Sequence, residues 1–398
     1  MTDKPKVIVV GGSLGGLTAA LVLRDAGCEV EVYERSRRPL SGRGVGIVAH
    51  PATIRYSLER GGRDPTSPVR FIRYLHRSGR VAHERETLFR FTSYYALYRD
   101  LLGMLGADRY HLGQEMVGLD QDADRVTVEL AGGARETCDL LVCADGIQST
   151  ARRLLMPELE RSYAGYVGWR GAVAEPQLSE DVRVAVSDAL IYYVIPHSHI
   201  LTYPIPSAEG SRETGARTIN WVWYRNVDAG PDLDDLMVDV DGHRQEISLP
   251  PGKVRPHRIE ELRGVAGEDL APQLAEMVDA TGEPFLQVVF DIEVPRMAFG
   301  RVCLIGDAAS ALRPHIAAGT AKAAEAAWML AEAIEASDHD VPGALASWEP
   351  RVLALEHHAV ARTRKAGISV QFENSWTTGD PIPFGLRETG DSEIVLAT

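Results

Sequence analysis

The chain opens on a continuous β-branched run, Val7 to Val10, followed by a glycine turn and then by Leu17 to Asp25, whose apolar residues predict a helix ending at Gly27. A second apolar strand, Val30 to Tyr33, follows at once. A strand, helix, strand unit of about thirty residues has the size of one mononucleotide-binding crossover in a parallel sheet. Two later buried-strand signals, Leu140 to Ala144 and Val302 to Ile305, each run into an Asp and are expected to complete that sheet. From Tyr163 to Gln287 the pattern changes. Runs such as IYYVIPHSHILTYPIP and TINWVWYRNV alternate apolar and polar residues between Pro, Gly and Asp, which predicts antiparallel strands. The chain therefore reads as one domain interrupted by another. From Asp380 onward it is rich in Gly, Pro and charge, and this end is expected to be loosely held.

A length of 398 residues exceeds what one hydrophobic core usually covers, which supports two domains. The 42 Lys and Arg against 56 Asp and Glu leave a net charge of −14, which repels nucleic acid and anionic membranes. Small-molecule chemistry is expected, with no nucleic-acid or membrane partner. The apolar stretch Ala321 to Ala336 carries Lys322, Glu325, Glu332 and Glu335 and reads as a buried helix rather than a membrane span. No signal-peptide pattern precedes the first glycines. Cys28, Cys138, Cys143 and Cys303 lie in or beside apolar runs without a CxxC pair, so buried reduced thiols, a cytoplasmic compartment and no metal site are expected.

The chemistry begins in VIVVGGSLGGLTAA. Gly11 makes the strand-to-helix turn, Gly16 permits close packing, and the helix opening at Ser13 and Leu14 offers its amides and dipole to a pyrophosphate. Ser13 stands where a second Gly is usual. Glu34, 18 residues beyond Gly16 and followed by Arg35, is placed to accept ribose hydroxyls. CDLLVCADGIQSTAR and RVCLIGDAASALRPHIAAGT then deliver Asp145, with Gly146, and Asp307 to the ligand-binding edge of the sheet. Behind Asp307, the segment with Pro314, Ala317, Ala318, Gly319 and Thr320 opens a helix whose amides can stabilise a negatively charged ring. No second glycine fingerprint follows a later strand, so nicotinamide has no domain of its own.

These motifs, in this order and spacing, resemble the flavin-dependent aromatic hydroxylases of the para-hydroxybenzoate hydroxylase family over almost the whole chain. The resemblance implies an α/β fold: a Rossmann-like, GR2-type FAD-binding domain with an inserted antiparallel β-sheet substrate domain and a C-terminal helix. The expected boundaries are 1–70, 97–168 and 288–370 for the FAD domain, 71–96 and 169–287 for the substrate domain, and 371–398 for a tail. It also implies non-covalent FAD, NADH or NADPH as co-substrate, O2, a small aromatic substrate and a homodimer. Asp145 and Gly146 would serve both FAD and the nicotinamide donor, Asp307 the ribitol, and Arg99 in YRDLL the FAD chain. SGRGVGIV, Ser41 to Val48 with Gly46 and Ile47, matches the loop lining the flavin ring. The implied reaction is hydride transfer to FAD, formation of a C4a-hydroperoxide, and oxygen transfer to an electron-rich ring carbon. Runs such as YAGYVGWRG, TYPIP and RPHIAAG are most similar to the members of the family that hydroxylate hydroxypyridines, although Ile316 replaces a usual glycine and Ala326 a usual acid.

Candidates for the base or hydrogen-bond partner of the substrate are His315, Tyr203 and His50, each of which can equally be structural. Among Tyr192, Tyr193, Trp221 and Trp223, one of each pair is expected to face the pocket. Trp221-Val222-Trp223 is similar to the start of the halogenase WxWxIP motif, but Tyr224 and Arg225 follow and the Pro is missing. A non-catalytic flavin sensor is the remaining alternative, and no effector segment supports it.

Overall fold

The computed structural model describes residues 4–40, 46–61 and 64–393. Lys6–Val10 lies at the centre of a six-stranded sheet, paired in parallel with Glu29–Glu34 on one side and Leu140–Cys143 on the other. Leu140–Cys143 pairs in parallel with Val302–Leu304, so both late strand signals join this sheet. Their unbroken apolar runs suit strands covered on both faces: Val7, Ile8, Val9, Leu141, Val142 and Cys143 have no exposed surface. The edge strand Tyr110–Leu112 pairs in parallel with Glu29–Glu34. Three residues including a histidine give no readable strand pattern. Each Asp motif leaves a strand of this sheet at the same edge as the glycine turn, which gathers the three motifs.

A second sheet runs in the order Ser248–Leu249, Phe285–Glu293, Ser162–Ala174, Thr218–Asn226, Ser198–Ile205, Ala189–Ile195, Ser67–Leu75, Val81–Ser93, Gly46–Val48. Its pairs are antiparallel except Ala189–Ile195 with Ser67–Leu75. The expected divisions at 70/71, 168/169 and 287/288 fall inside the strands Ser67–Leu75, Ser162–Ala174 and Phe285–Glu293. All three strands belong to this one sheet, and their extended pattern runs unbroken through those positions.

One face of this sheet buries Trp169, Trp221, Trp223 and Leu286 against Leu262, Leu274 and Met277 of the helices Pro256–Asp269 and Pro272–Ala280. The opposite face turns Tyr166, Tyr192, Leu201, Tyr203, Val222 and Tyr224 toward Phe89, Phe91 and Phe384. The expectation that one of Trp221 and Trp223 faces the pocket is therefore corrected. Residues two apart in a strand share a face, and both indoles sit in the helix-covered core, bonded to Thr281 Oγ1 and Ser198 Oγ at 2.9 Å each. Tyr192 and Tyr193, one apart, do separate. The tryptophans of the halogenase-like run thus point away from the cleft.

Past the long helix Val341–Gln371 the chain is docked as far as Glu393, contrary to its composition; residues 394–398 of the end expected to be loose lie outside the described residues. Ile382, Phe384 and Leu386 are buried, the Gly385 amide donates to the Ile316 carbonyl at 3.1 Å, and Tyr74 Oη donates to the Asp380 carbonyl at 2.7 Å. Three apolar anchors in an irregular segment suffice to dock it. All four cysteines are free and buried. Among the described residues no helix is long and apolar enough to cross a membrane.

Glu175 and Arg217 form a buried pair in the sheet domain, with Arg217 Nη2 2.8 Å from Glu175 Oε1. Removing one partner leaves the other charge buried and uncompensated. Arg217→Met is expected to cost about 3–5 kcal/mol, read as a lower urea midpoint; an unchanged midpoint would show that the carboxylate finds water.

Candidate active site

The site is built on the edge where the strands Lys6–Val10, Leu140–Cys143 and Val302–Leu304 end. Gly11 has φ +100°, and a Cβ there would lie 2.2 Å from the Ala144 carbonyl oxygen. A Cβ on Gly16 would lie 1.8 Å from the Gly11 carbonyl oxygen. Both glycines are therefore demanded by backbone packing. Ser13 precedes the helix Leu14–Asp25 but does not cap it. Its Oγ pairs with Tyr94 Oη at 2.6 Å instead, which leaves the helix N-terminus for an anion. The buried Glu34 accepts the Gly12 amide at 2.9 Å and the Ser36 amide at 2.8 Å, so it braces the turn as well as facing the cleft.

Asp145 accepts the Thr150 and Ala151 amides through Oδ2 at 2.7 and 3.2 Å. Its Oδ1 is buried without a hydrogen-bond partner among the described residues. An unmet carboxylate oxygen in a cleft suits a hydroxyl donor. Arg152, itself buried, donates to the carbonyls of Asp307 and Ala308 at 3.1 and 2.8 Å and fixes the turn that presents Asp307.

Gly11, Glu34, Asp145 and Asp307 line a cavity of about 420 Å³, together with Ser13, Arg35, Gly46, Ile47, Gly146 and Arg170. Two further cavities, of about 240 and 230 Å³, adjoin it, and all three share Arg170 and Asp307. The last is walled by Tyr192, His199, Tyr203, Tyr224, His315 and Phe384, and by the loop residues Pro314, Ala317, Gly319 and Thr320. An apolar cavity of ~150 Å³ accommodates benzene, so this chamber fits one substituted ring.

Most of the residues expected to bind cofactor are thus brought together. Leu14, Gly16 and Ala318 are buried behind the cavity wall and act by packing. Arg99 is not brought there, and that expectation is corrected. It lines a separate cleft with Asp64, Asp100 and Arg212, its guanidinium 5.8 Å from the Tyr95 ring. On the helix Tyr94–Leu105 the buried stripe is Leu97, Tyr98, Leu101 and Leu105, and the helical turn carries Arg99 off that face. Residues 41–45 of the Ser41 to Val48 loop lie outside the described residues; its remainder, Gly46–Val48, forms a strand in contact with both the dinucleotide cavity and the ring cavity.

Of the three candidate bases, His315 and Tyr203 line the ring cavity. His315 Nε2 is 2.7 Å from Tyr166 Oη, while Nδ1 has no partner among the described residues. Burial, helped by His199 and Arg313, pushes its pKa well down, so the imidazole is neutral. Tyr203 stacks on Phe91 with centroids 4.0 Å apart, and burial raises its phenol. His50 stands behind the loop: its Nε2 donates to the Ala317 carbonyl at 3.0 Å and its ring is not among the cavity-lining groups. That carbonyl belongs to a non-glycine residue at φ +54°, and His50 helps hold the loop in this strained form.

Arg170 is the residue that sequence reasoning missed. It donates to Gln287 Oε1 at 2.8 Å, approaches the Gly46 carbonyl at 3.5 Å, and leaves its Nε without a partner among the described residues. A lone arginine between Gly168 and Gly171 in an otherwise apolar strand was the available signal.

The neutral histidines have a measurable consequence. Burial holds His199 down to about 3, whereas an unfolded histidine takes a proton near 6.5. Below that pH the unfolded state binds more protons than the folded state, so stability falls as pH drops from about 6.5, by up to ~1.4 kcal/mol per unit for each of His199 and His315. Urea midpoints between pH 7.5 and 5 are expected to fall, and a flat profile contradicts neutral buried imidazoles.

Family models add to this geometry. An NAD(P)-binding Rossmann-like domain matches residues 9–62, and an FAD-binding-like domain matches residues 163–291. The chain belongs to the flavin-dependent aromatic hydroxylases: it is an FAD-dependent monooxygenase with NAD(P)H as co-substrate. It is 39% identical to 2,6-dihydroxypyridine 3-monooxygenase of Paenarthrobacter nicotinovorans, covering 98% of both chains. The solved structure of 2,6-dihydroxypyridine-3-hydroxylase from Arthrobacter nicotinovorans superposes with a TM-score of 0.90 at 39% identity, over 96% of this chain and 97% of that one. An FAD-dependent urate hydroxylase of Klebsiella pneumoniae is 27% identical over 96% of this chain and 98% of its own.

Proposed function

We propose that this enzyme hydroxylates a small, already hydroxylated N-heteroaromatic ring of the hydroxypyridine type. The observation that carries the reading is the chamber of about 230 Å³ beside the dinucleotide cavity, in which a neutral, buried His315 with an unpartnered Nδ1 faces an otherwise largely aromatic wall. The 39% identity to the dihydroxypyridine enzyme supports the same substrate class. Gly11 and the uncapped helix behind it would hold the pyrophosphate of FAD, and Asp145 and Asp307 would accept its sugar hydroxyls. When bound, FAD accepts hydride from NAD(P)H and activates O2 for transfer of one oxygen atom to the ring.

The chain supplies position and proton handling. In the tautomer that donates Nε2–H to Tyr166, the bare Nδ1 of His315 accepts a hydrogen bond from a ring hydroxyl and orients it, while burial keeps the imidazole itself neutral. Arg170 contributes a fixed positive charge where the three cavities meet and favours the deprotonated ring oxygen. Phe384, Tyr192 and Tyr224 exclude water and restrict the ring to a plane. The reading extends to a cytoplasmic homodimer: four buried free thiols support the compartment, and light scattering tests the assembly.

The test is flavin reduction by NAD(P)H with a panel of mono- and dihydroxypyridines and ring-matched phenols. Dihydroxypyridines are expected to accelerate reduction at least tenfold over the phenols. Equal or faster reduction with phenols would overturn the heteroaromatic assignment.

A further inference from the structure

Beneath Asp307 lies a buried charge cluster that the proposed reaction does not use. Lys322, in the first turns of the helix Gly319–Ala336, has no exposed surface. Its Nζ lies 3.5 Å from Glu356 Oε2 and 3.8 Å from Asp307 Oδ1, and has no hydrogen-bond partner among the described residues. Glu356, from the helix Val341–Gln371, is 2% exposed, is bonded to Ser310 Oγ, and keeps its Oε1 unmet. Burial pushes the Glu356 carboxyl up while Lys322 pulls it back.

Desolvating such a pair is costly, and an apolar pair of like volume is often as stable or more so. Stability alone therefore gives weak reason for a charged pair here. Its position gives a better one. Asp307 lines all three cavities, and Gly319 and Thr320, one turn ahead of Lys322, line the ring cavity. The lysine thus places a fixed positive charge directly behind the wall that faces the flavin, screened by little water.

We propose that Lys322 is a redox-tuning residue, whose ammonium, anchored by Glu356, favours the reduced, more negative form of bound FAD over the oxidised form. Reduction adds electron density to the cavity, and a cation in a low-dielectric wall attracts it more strongly than water would. Glu356 orients the cation and offsets part of its charge. The two residues therefore act with opposite signs.

The test is the midpoint potential of the flavin in the purified holoenzyme, measured anaerobically by spectroelectrochemistry without substrate, so that it stands apart from the substrate assignment. Lys322→Met is expected to weaken the preference for reduced over oxidised flavin about tenfold, a fall of about 30 mV for a two-electron couple. Glu356→Gln is expected to shift it upward, and the double variant to return near the parent value. Should Lys322→Met fail to fold or to hold flavin, Lys322→Gln and Glu356→Gln carry the same test. Unchanged potentials in flavin-loaded variants, or shifts of the same sign for the lysine and glutamate variants, overturn the proposal, because a merely structural pair gives no sign reversal.

Discussion

Gly16→Ala is expected to yield a protein that holds no FAD after gel filtration. The new Cβ would sit 1.8 Å from the Gly11 carbonyl oxygen, and the obstructing atom is backbone in a turn already fixed by φ +100° at Gly11. Relief requires the helix Leu14–Asp25 to move away from the strand, which withdraws the amides that meet the pyrophosphate. Overpacking of this kind costs about 3 kcal/mol, or ~100-fold in binding, before any loss of fold stability. Ser13→Ala is the informative contrast. Ser13 does not cap the helix, and its removal breaks one hydrogen bond to Tyr94, worth about 1 kcal/mol. Flavin absorbance per polypeptide separates the two: near zero for the first and near the parent for the second. A fully loaded Gly16→Ala protein would contradict the assignment of the turn.

Arg170→Met carries the second large effect, on turnover rather than on loading. Arg170 borders all three cavities and donates to Gln287 and toward the Gly46 carbonyl; methionine keeps only the apolar stem, so these hydrogen bonds, worth about 1 kcal/mol each, go together with the charge. What disappears with them is a fixed charge beside the ring under attack. Losing one preorganised electrostatic group costs about 10²–10³ in kcat. Arg170→Lys is expected to recover only part of this, because an ammonium lacks the planar fork that reaches two partners at once. Steady-state kinetics with measured flavin content check it. If Arg170→Met loses its flavin and keeps its turnover per flavin, the residue serves the cofactor and not the ring.

The dinucleotide half of the site was legible because its constraints are local. Gly11, Gly16 and Glu34 stand within one strand, helix, strand unit, and Asp145 and Asp307 each follow a strand with no break in its apolar run. Residues that depend on distant packing were not. Arg170 acquires its role only when the fold brings it within reach of Gly46 on the strand Gly46–Val48, which is not its neighbour in the sheet. The segment around Phe384 has loop composition, and its anchors become visible only against Tyr192 and Phe89. Arg99 was misplaced through likeness of its neighbourhood, whereas the helical turn decides its direction. Trp221 and Trp223 were misread against the period of a strand, which their spacing of two already settled. His315 was found, but its pairing with Tyr166, 149 positions away, was not in any local pattern.

The proposed activity is transfer of one oxygen atom from O2 to a hydroxylated heteroaromatic ring. Product mass after turnover of 2,6-dihydroxypyridine with NAD(P)H under oxygen-18 gas tests it most directly. A product heavier than the substrate by one oxygen-18 atom, formed in step with NAD(P)H consumed, is the expected result. Unlabelled product, or NAD(P)H consumed with only hydrogen peroxide formed across the hydroxypyridine panel, would contradict it.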